Sequence, residues 1–279
     1  MPVVLTLHDL IFFEKNPLFA QGYSYYQRFG NYYRRRVISA VLKKLRKIIT
    51  VSNFERNRIL GLFPHLNSND VRVIGNAAGS HFMPERSEEN TSTKLRDKYG
   101  LPAEYGLFLG NTDPKKNTRD TLRSWQMACK QMKKDIPLVI GDIDQQEAKS
   151  RMRFSDADLQ TMRFPGYIDN RDLPAVMAEA RIFLYTSRRE SFGIPILEAM
   201  ASGTPVVTAN VTSMPEVAGD AAYLVDPYDV SSMADGIQRV LADEALAKEL
   251  VEKGFERIQS FSWERSAREL LDVYAEVCA

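Results

Sequence analysis

Residues 181–208 read RIFLYTSRRESFGIPILEAMASGTPVVT, and this stretch decides the fold. An apolar strand over 181–185 runs into a polar loop holding Glu190. A helix over 195–202 follows, with Pro195 suited to its first turn. A second apolar strand covers 204–208. Strands rich in Val, Ile and Leu, alternating with helices, belong to a parallel sheet covered on both faces.

The same alternation extends outward. Strands are expected at 105–109, 136–140, 161–164 and 222–225, and helices at 117–132, 145–151, 171–179, 230–242, 244–259 and 263–277. Toward the N-terminus, strands are expected at 3–7, 47–51 and 71–74. Ser52 can cap the helix that follows the second of these. Residues 32–46 have helical spacing, with Tyr33, Val37, Val41 and Leu45 on one face, and 14–34 read as mixed loop and helix. Residues 85–93 are polar and unpatterned, which sets the expected boundary between residues 1–85 and 86–262. There is no tandem repeat and no low-complexity segment.

Hydrophobic residues make up 44% and charged residues 26% of the 279, which excludes disorder, collagen-like repeats and a disulfide scaffold. Cys129 and Cys278 read as incidental thiols suited to a reducing compartment. No apolar run approaches the ~18 residues of a transmembrane helix, and the N-terminus lacks the pattern of a signal peptide. Protein of this kind is expected in the cytoplasm. The net charge of +1 is unevenly spread: residues 15–54 hold nine basic residues and no acidic one, leaving the remainder at about −8. Interleaved with Tyr23, Tyr25, Tyr26, Tyr32 and Tyr33, this stretch points to an anionic membrane surface or a lipid-phosphate acceptor. A solvated helix face is the plainer alternative, and nucleic acid is not expected as a partner.

Ligands of parallel sheets sit at the carboxyl ends of the strands, so chemistry is sought just after strands. After 105–109 comes Gly110-Asn111-Thr112-Asp113-Pro114-Lys115-Lys116-Asn117. Gly110 permits a tight turn, and two lysines beside a helix start combine their charge with free N–H groups and the helix dipole. That suits a pyrophosphate, although a solvated turn has the same composition. After 181–185, Glu198 lies about one turn into an otherwise apolar helix. A carboxylate there needs hydrogen-bond donors, such as ribose or sugar hydroxyls, because burying it unpaired is costly. The Phe192-Gly193-Ile194 amides at the helix start can face an anion.

The stretch ESFGIPILEAMASGTPVV resembles the signature of family-4 retaining glycosyltransferases, in which two glutamates are separated by seven residues. GNTDPKKN is similar to that family's phosphate-lysine loop. TVSNFERNRI, GYIDNRDLPAVMAEARIFLYTS, MPEVAGDAAYLVDP and FSWERSARELLDVY match further stretches in the family's order. The resemblance implies an α/β fold of two Rossmann-like domains, the GT-B fold, with residues 263–279 crossing back to the first. It implies that Glu190 contacts the transferred sugar, with Phe192, Gly193 and Ile194 beside it, and that Glu198 binds the nucleotide ribose. Lys116 and Lys115 are implied on the diphosphate with Gly110 and Asn111, though Asn111 stands where several members have a second arginine. The Gly166-Tyr167-Ile168 segment is implied to read the base through its backbone. His8, in TLHD, matches the active-site histidine near the sugar.

The expected reaction is metal-independent, retaining transfer of a mannose- or rhamnose-like sugar from a GDP- or UDP-linked donor to a glycan or lipid-linked acceptor. The nucleotide sugar is a substrate, and no cofactor is implied. The family's glycine-rich loop before TLHD is absent, so the N-terminal domain is expected to be incomplete, and the alternative is a nucleotide-sugar-binding remnant without transfer activity. Asp142-Ile143-Asp144 and Asp156-Ala157-Asp158 read as surface carboxylates rather than a metal chelate. His8, His65 and His81 lack metal-ligand spacing.

Overall fold

The computed structural model describes residues 3–13, 25–42, 45–83 and 89–278, and separates into two compact units. One comprises residues 1–77 with 261–279, the other residues 78–260. The first holds β1 (Val4–Thr6), α1 (Tyr25–Val41), β2 (Lys47–Thr50), α2 (Asn53–Leu62) and β3 (Val71–Val73). The second runs α3 (Glu89–Tyr99), β4 (Gly106–Leu109), α4 (Thr118–Met132), β5 (Leu138–Gly141), α5 (Gln145–Met152), β6 (Met162–Gly166) and α6 (Leu173–Ala178). It continues through β7 (Ile182–Tyr185), α7 (Ile194–Ala201), β8 (Val206–Ala209), α8 (Met214–Ala218), β9 (Tyr223–Val225), α9 (Val230–Ala242) and α10 (Glu244–Ile258). The last helix, α11 (Trp263–Cys278), returns to the first unit.

The larger unit has a six-stranded, all-parallel sheet in the order β6-β5-β4-β7-β8-β9. Every residue of β5, β7 and β8 is buried, as expected where helices cover both faces. Phe108, Leu122, Trp125, Leu138, Ile140, Leu184 and Ile237 form the centre of one core layer. Each such side chain contributes roughly 1.5–3 kcal/mol by leaving water. Trp125 is fully buried yet not orphaned, since its indole N–H donates to the Ile136 carbonyl at 3.0 Å.

The smaller unit has a three-stranded parallel sheet in the order β1-β2-β3. Leu7, Leu10, Ile48, Ile59, Phe63 and Val71 form its core. Ser52 caps α2, its hydroxyl accepting from the Glu55 amide at 3.2 Å. On α11, Val273 is buried, Ser266 Oγ donates to the Gly75 carbonyl at 2.6 Å, and Glu276 pairs with Lys47 at 2.7 Å.

Three elements differ from the sequence expectation. The helix expected at 32–46 spans Tyr25–Val41, because aromatic residues on its outer face mask the apolar period of its first turns. The unpatterned region at 85–93 runs into α3, which polar contacts fix: Arg96 to Glu179 at 3.1 Å, Lys98 to Asp172 at 2.6 Å and Tyr99 to Asp172 at 2.7 Å. The five-residue α8 is too short to show a period. Of the basic stretch, Lys15, Tyr23, Lys43 and Lys44 lie outside the described residues.

Candidate active site

Strand order in the larger sheet reverses between β4 and β7: the chain builds outward from β4 through β5 to β6, then returns to β4's other side for β7. Loops leaving the carboxyl ends of β4 and β7 therefore diverge to opposite faces and open a crevice between them. Both sequence motifs lie at this point. The lysine loop leaves β4, and the glutamate loop leaves β7.

The lysine loop is shaped by its own polar groups. Asn111 Oδ1 accepts from the Asp113 amide at 2.9 Å, and Asp113 Oδ1 accepts from the Lys115 amide at 3.0 Å. Pro114–Lys116 form a single 3-10 turn, and Asn117 adopts a left-handed conformation (φ 57°) before α4 begins. Asn117 is anchored from within, its side-chain amide donating to the carbonyls of Thr186 at 3.1 Å and Pro227 at 2.8 Å. The lysines thus precede α4 instead of occupying its first turn. The Asn111 side-chain carbonyl is engaged in the turn, so a role on a phosphate falls to its remaining groups.

Across the crevice, Lys116 Nζ lies 2.8 Å from Glu190 Oε1, with both side chains largely buried. Lys116 also sits 5.2 Å from the centre of the Tyr185 ring. Burial, then the charge and hydrogen bond of Glu190, then the charge of Glu198 hold the Tyr185 hydroxyl well above its usual range, so it stays protonated. The backbone joins the two loops as well, the Arg188 amide donating to the Lys115 carbonyl at 2.7 Å.

Glu190 is held from behind by residues the sequence reading passed over. Arg189 donates to the Glu190 carbonyl at 2.6 Å, Ser213 Oγ donates to it at 3.1 Å, and the Glu190 amide donates to Thr212 Oγ1 at 3.3 Å. Arg188 pairs with Asp120 at 2.5 Å and stacks on Tyr228. None of these positions has a sequence signal beyond its proximity to Glu190 or to the return strand.

Gly193 precedes α7 with φ 113° and ψ 52°, where a side chain is strained. A Cβ there would also stand 3.1 Å from Ile196 Cδ1. The turn aims the start of α7, with Ile194, at the crevice, while Phe192 is buried and its carbonyl accepts from Ser213 Oγ at 2.8 Å. Glu198, one turn on, is half-buried; its backbone carbonyl accepts from Ser202 Oγ at 2.9 Å, but its carboxylate has no hydrogen-bond donor among the described residues. Burial raises its pKa from 4.5 to about 7.

On the other flank, three glycines end adjacent strands. The Gly110 amide donates to the Gly141 carbonyl at 3.2 Å, and the Asp142 amide to the Gly166 carbonyl at 3.1 Å. Ile168, just beyond, is buried, its Cδ1 3.4 Å from where a Cβ on Gly141 would stand. Asp144 caps α5 through the Glu147 amide, Asp156 pairs with Lys149, and Asp158 binds Ser155. Among the described residues, no three His, Cys, Asp or Glu side chains converge as metal ligands. No helix of the described residues is long and apolar enough to cross a membrane.

The larger unit therefore brings Gly110, Asn111, Lys115, Lys116, Glu190, Phe192, Gly193, Ile194 and Glu198 to one sheet edge, with Ile168 on its flank. His8 belongs to the smaller unit. It is exposed after β1, on a cleft of ≈ 260 Å³ lined by Ile49, Val51, Ile74, Trp263 and Leu270.

The chain is 32% identical over 245 residues to the O-antigen chain mannosyltransferase B of Escherichia coli, covering 87% of this chain and 64% of that protein. It thus spans less than two thirds of that relative's length. Among solved structures, HepE of Anabaena in complex with UDP and glucose superposes with a TM-score of 0.76 at 18% identity, over 98% of this chain and 71% of that one. Sucrose-phosphate synthase of Thermosynechococcus elongatus superposes with a TM-score of 0.73 at 25% identity, over 98% and 67%. Both units are thus built as in GT-B glycosyltransferases. The family model for Glycosyltransferase Family 4 matches residues 1–78, and that for Glycosyl transferases group 1 matches residues 91–257, most of the larger unit and its whole crevice. The chain belongs to the group 1 glycosyl transferases.

Proposed function

We propose that the chain transfers a mannose- or rhamnose-like sugar from a GDP- or UDP-linked donor to a hydroxyl of a glycan or lipid-linked acceptor, with retention of anomeric configuration. The observation that carries this reading is the Lys116–Glu190 pair, 2.8 Å apart, spanning the crevice where strand order reverses. A cation and a carboxylate at that point suit a ligand with a phosphate end and a hydroxyl end. The 32% identity to an O-antigen mannosyltransferase supports a mannose-type sugar.

In this reading Lys115 and Lys116 engage the diphosphate. As the anomeric C–O bond breaks, negative charge grows on the β-phosphate. The two lysines and the N-terminal amides of α4 and α7 stabilise it from fixed positions. These cations do the work for which a divalent metal is otherwise used. Glu190 holds sugar hydroxyls, freed toward them as Lys116 turns to the phosphate. Glu198 accepts from the ribose, and the Gly166–Ile168 backbone borders the base. The acceptor oxygen attacks from the face the phosphate leaves, and its proton passes to the departing phosphate oxygen. His8 is assigned to the reaction by the family resemblance of TLHD alone.

Thermal unfolding with UDP, GDP, dTDP and ADP tests the site, followed by donor turnover with the matching nucleotide sugar. One diphosphate should raise the melting temperature by several degrees, and that donor should be hydrolysed or transferred. No shift with any diphosphate overturns the reading. A shift with no turnover identifies a nucleotide-sugar-binding protein without transferase activity.

A further inference from the structure

Helix α1 carries two apolar stripes. One faces the core, where Ile38 and the adjoining Leu42 pack with Leu10, Ile48 and Ile59. The other faces solvent: Tyr25 is 91% exposed, Tyr26 90% and Phe29 71%, and Tyr32 and Tyr33 are more than half exposed. At about 100° per residue these five rings fall within an arc of roughly 120°, centred opposite Ile38. A surface helix ordinarily turns polar residues to water, and among the described residues no packing accounts for an aromatic ridge there.

The charge on the same helix is one-sided. It holds Arg28, Arg34, Arg35 and Arg36 and no acidic residue. Arg35 has an internal task, donating to the Phe12 carbonyl at 2.5 Å and lying over the Phe13 ring. The other three are exposed: Arg36 lies 5.4 Å from the centre of the Tyr32 ring, within the ridge, Arg28 flanks the ridge, and Arg34 falls on the far side of the helix, about 40° from Ile38. Aromatic rings with polar tips settle at the headgroup level of a bilayer, and arginines beside them meet lipid phosphates.

We propose that α1 docks in the interface of an anionic lipid bilayer. Tyr25, Tyr26, Phe29, Tyr32 and Tyr33 lie among the headgroups, and Arg28 and Arg36 pair with lipid phosphates. Charge complementarity selects this occupant: each arginine multiplies partitioning onto an anionic surface by about fivefold. The proposal rests on α1 alone and is independent of the sugar-transfer reading.

Co-sedimentation of the full chain with phosphatidylcholine vesicles, with and without phosphatidylglycerol, tests it. Binding is expected only with phosphatidylglycerol and should weaken with salt. The double variant Arg28→Glu/Arg36→Glu should lose at least thirtyfold in partitioning, and Phe29→Ser/Tyr33→Ser about tenfold. Melting curves verify folding. Should either variant unfold, Tyr25→Ser/Tyr26→Ser, at the helix's most exposed end, serves instead. Absence of binding, equal binding to both vesicles, or binding indifferent to these variants overturns the proposal. So does an aromatic-dependent dimer in vesicle-free solution, or displacement from vesicles by a DNA oligonucleotide.

Discussion

The two sheets meet their ligands' side of the fold in different ways. In the larger unit, strand order reverses between β4 and β7, and charged groups line the opening: Lys115, Lys116, Glu190 and Glu198. In the smaller unit, the described strands run β1-β2-β3 without reversal. Their carboxyl ends lead to a mainly apolar cleft under Trp263 and Leu270, with His8 at its rim. The same strand–helix grammar thus produces a polar, anion-ready crevice in one unit and an apolar shelf in the other. The difference is topological before it is chemical: only a reversal splays two loops apart and lets a lysine from one face a glutamate from the other.

The sharpest way to break that contrast is to remove the crevice cation. Lys116→Ala should lower sugar transfer by about 10²–10³-fold, the range for losing one preorganised group on a developing charge. Adding Glu190→Gln should cost less than the product of the two single losses, since each single variant strands the other partner. Independent, additive effects in transfer and melting curves would show that the pair does not act as a unit.

Glu198 gives a second contrast, visible in pH. Its folded-state pKa of about 7 lies above the ordinary 4.5, so the folded chain holds more protons between those values. Stability should fall as pH rises through that window and level off above it, and Glu198→Gln should remove the slope. Donor hydroxyls favour the charged carboxylate, so nucleotide binding should release a proton near pH ~6.5. Titration calorimetry in buffers of different ionisation enthalpy measures that release. Glu198→Ala should weaken nucleotide binding by roughly 10–100-fold, the loss of hydrogen bonds to a charged acceptor.

His8 probes the other unit. His8→Ala should lower transfer by about tenfold while nucleotide affinity stays within about twofold, because the smaller unit lacks the phosphate cations. An equal loss in binding would move His8 into the nucleotide site and erase the contrast. The smallest effect is expected at the turn before α7. Gly193→Ala forces a Cβ into the left-handed region and against Ile196, at about 1–2 kcal/mol. Denaturant titration should show that loss, and nucleotide binding a few-fold one. An unchanged midpoint would mean that the turn relaxes freely.

Much of this was legible in residue order. Apolar runs such as 181–185, 136–140 and 204–208 become buried strands, because a strand covered on both faces must be apolar throughout. Ser52 caps a helix as its position before 53–62 suggests. Helix α3 was not legible, because its sequence is polar and its stability comes from partners 74 and 83 residues away, Asp172 and Glu179. The first turns of α1 were hidden by the outward aromatic ridge that makes the helix distinctive.

The sequence by itself determined the parallel α/β class, the two loops and the types of group they hold, since these follow from local periodicity and from turn and helix-end chemistry. The tertiary structure alone decided which groups meet. Lys116 and Glu190 are separated by 74 residues, and their 2.8 Å contact exists only because β7 is inserted beside β4. The engagement of Asn111 in its own turn, the support of Glu190 by Arg189, Thr212 and Ser213, and the rise of the Glu198 pKa were likewise settled by packing. Desolvation and long-range hydrogen bonds depend on what lies opposite in space, and strand order, which linear periodicity does not encode, sets that.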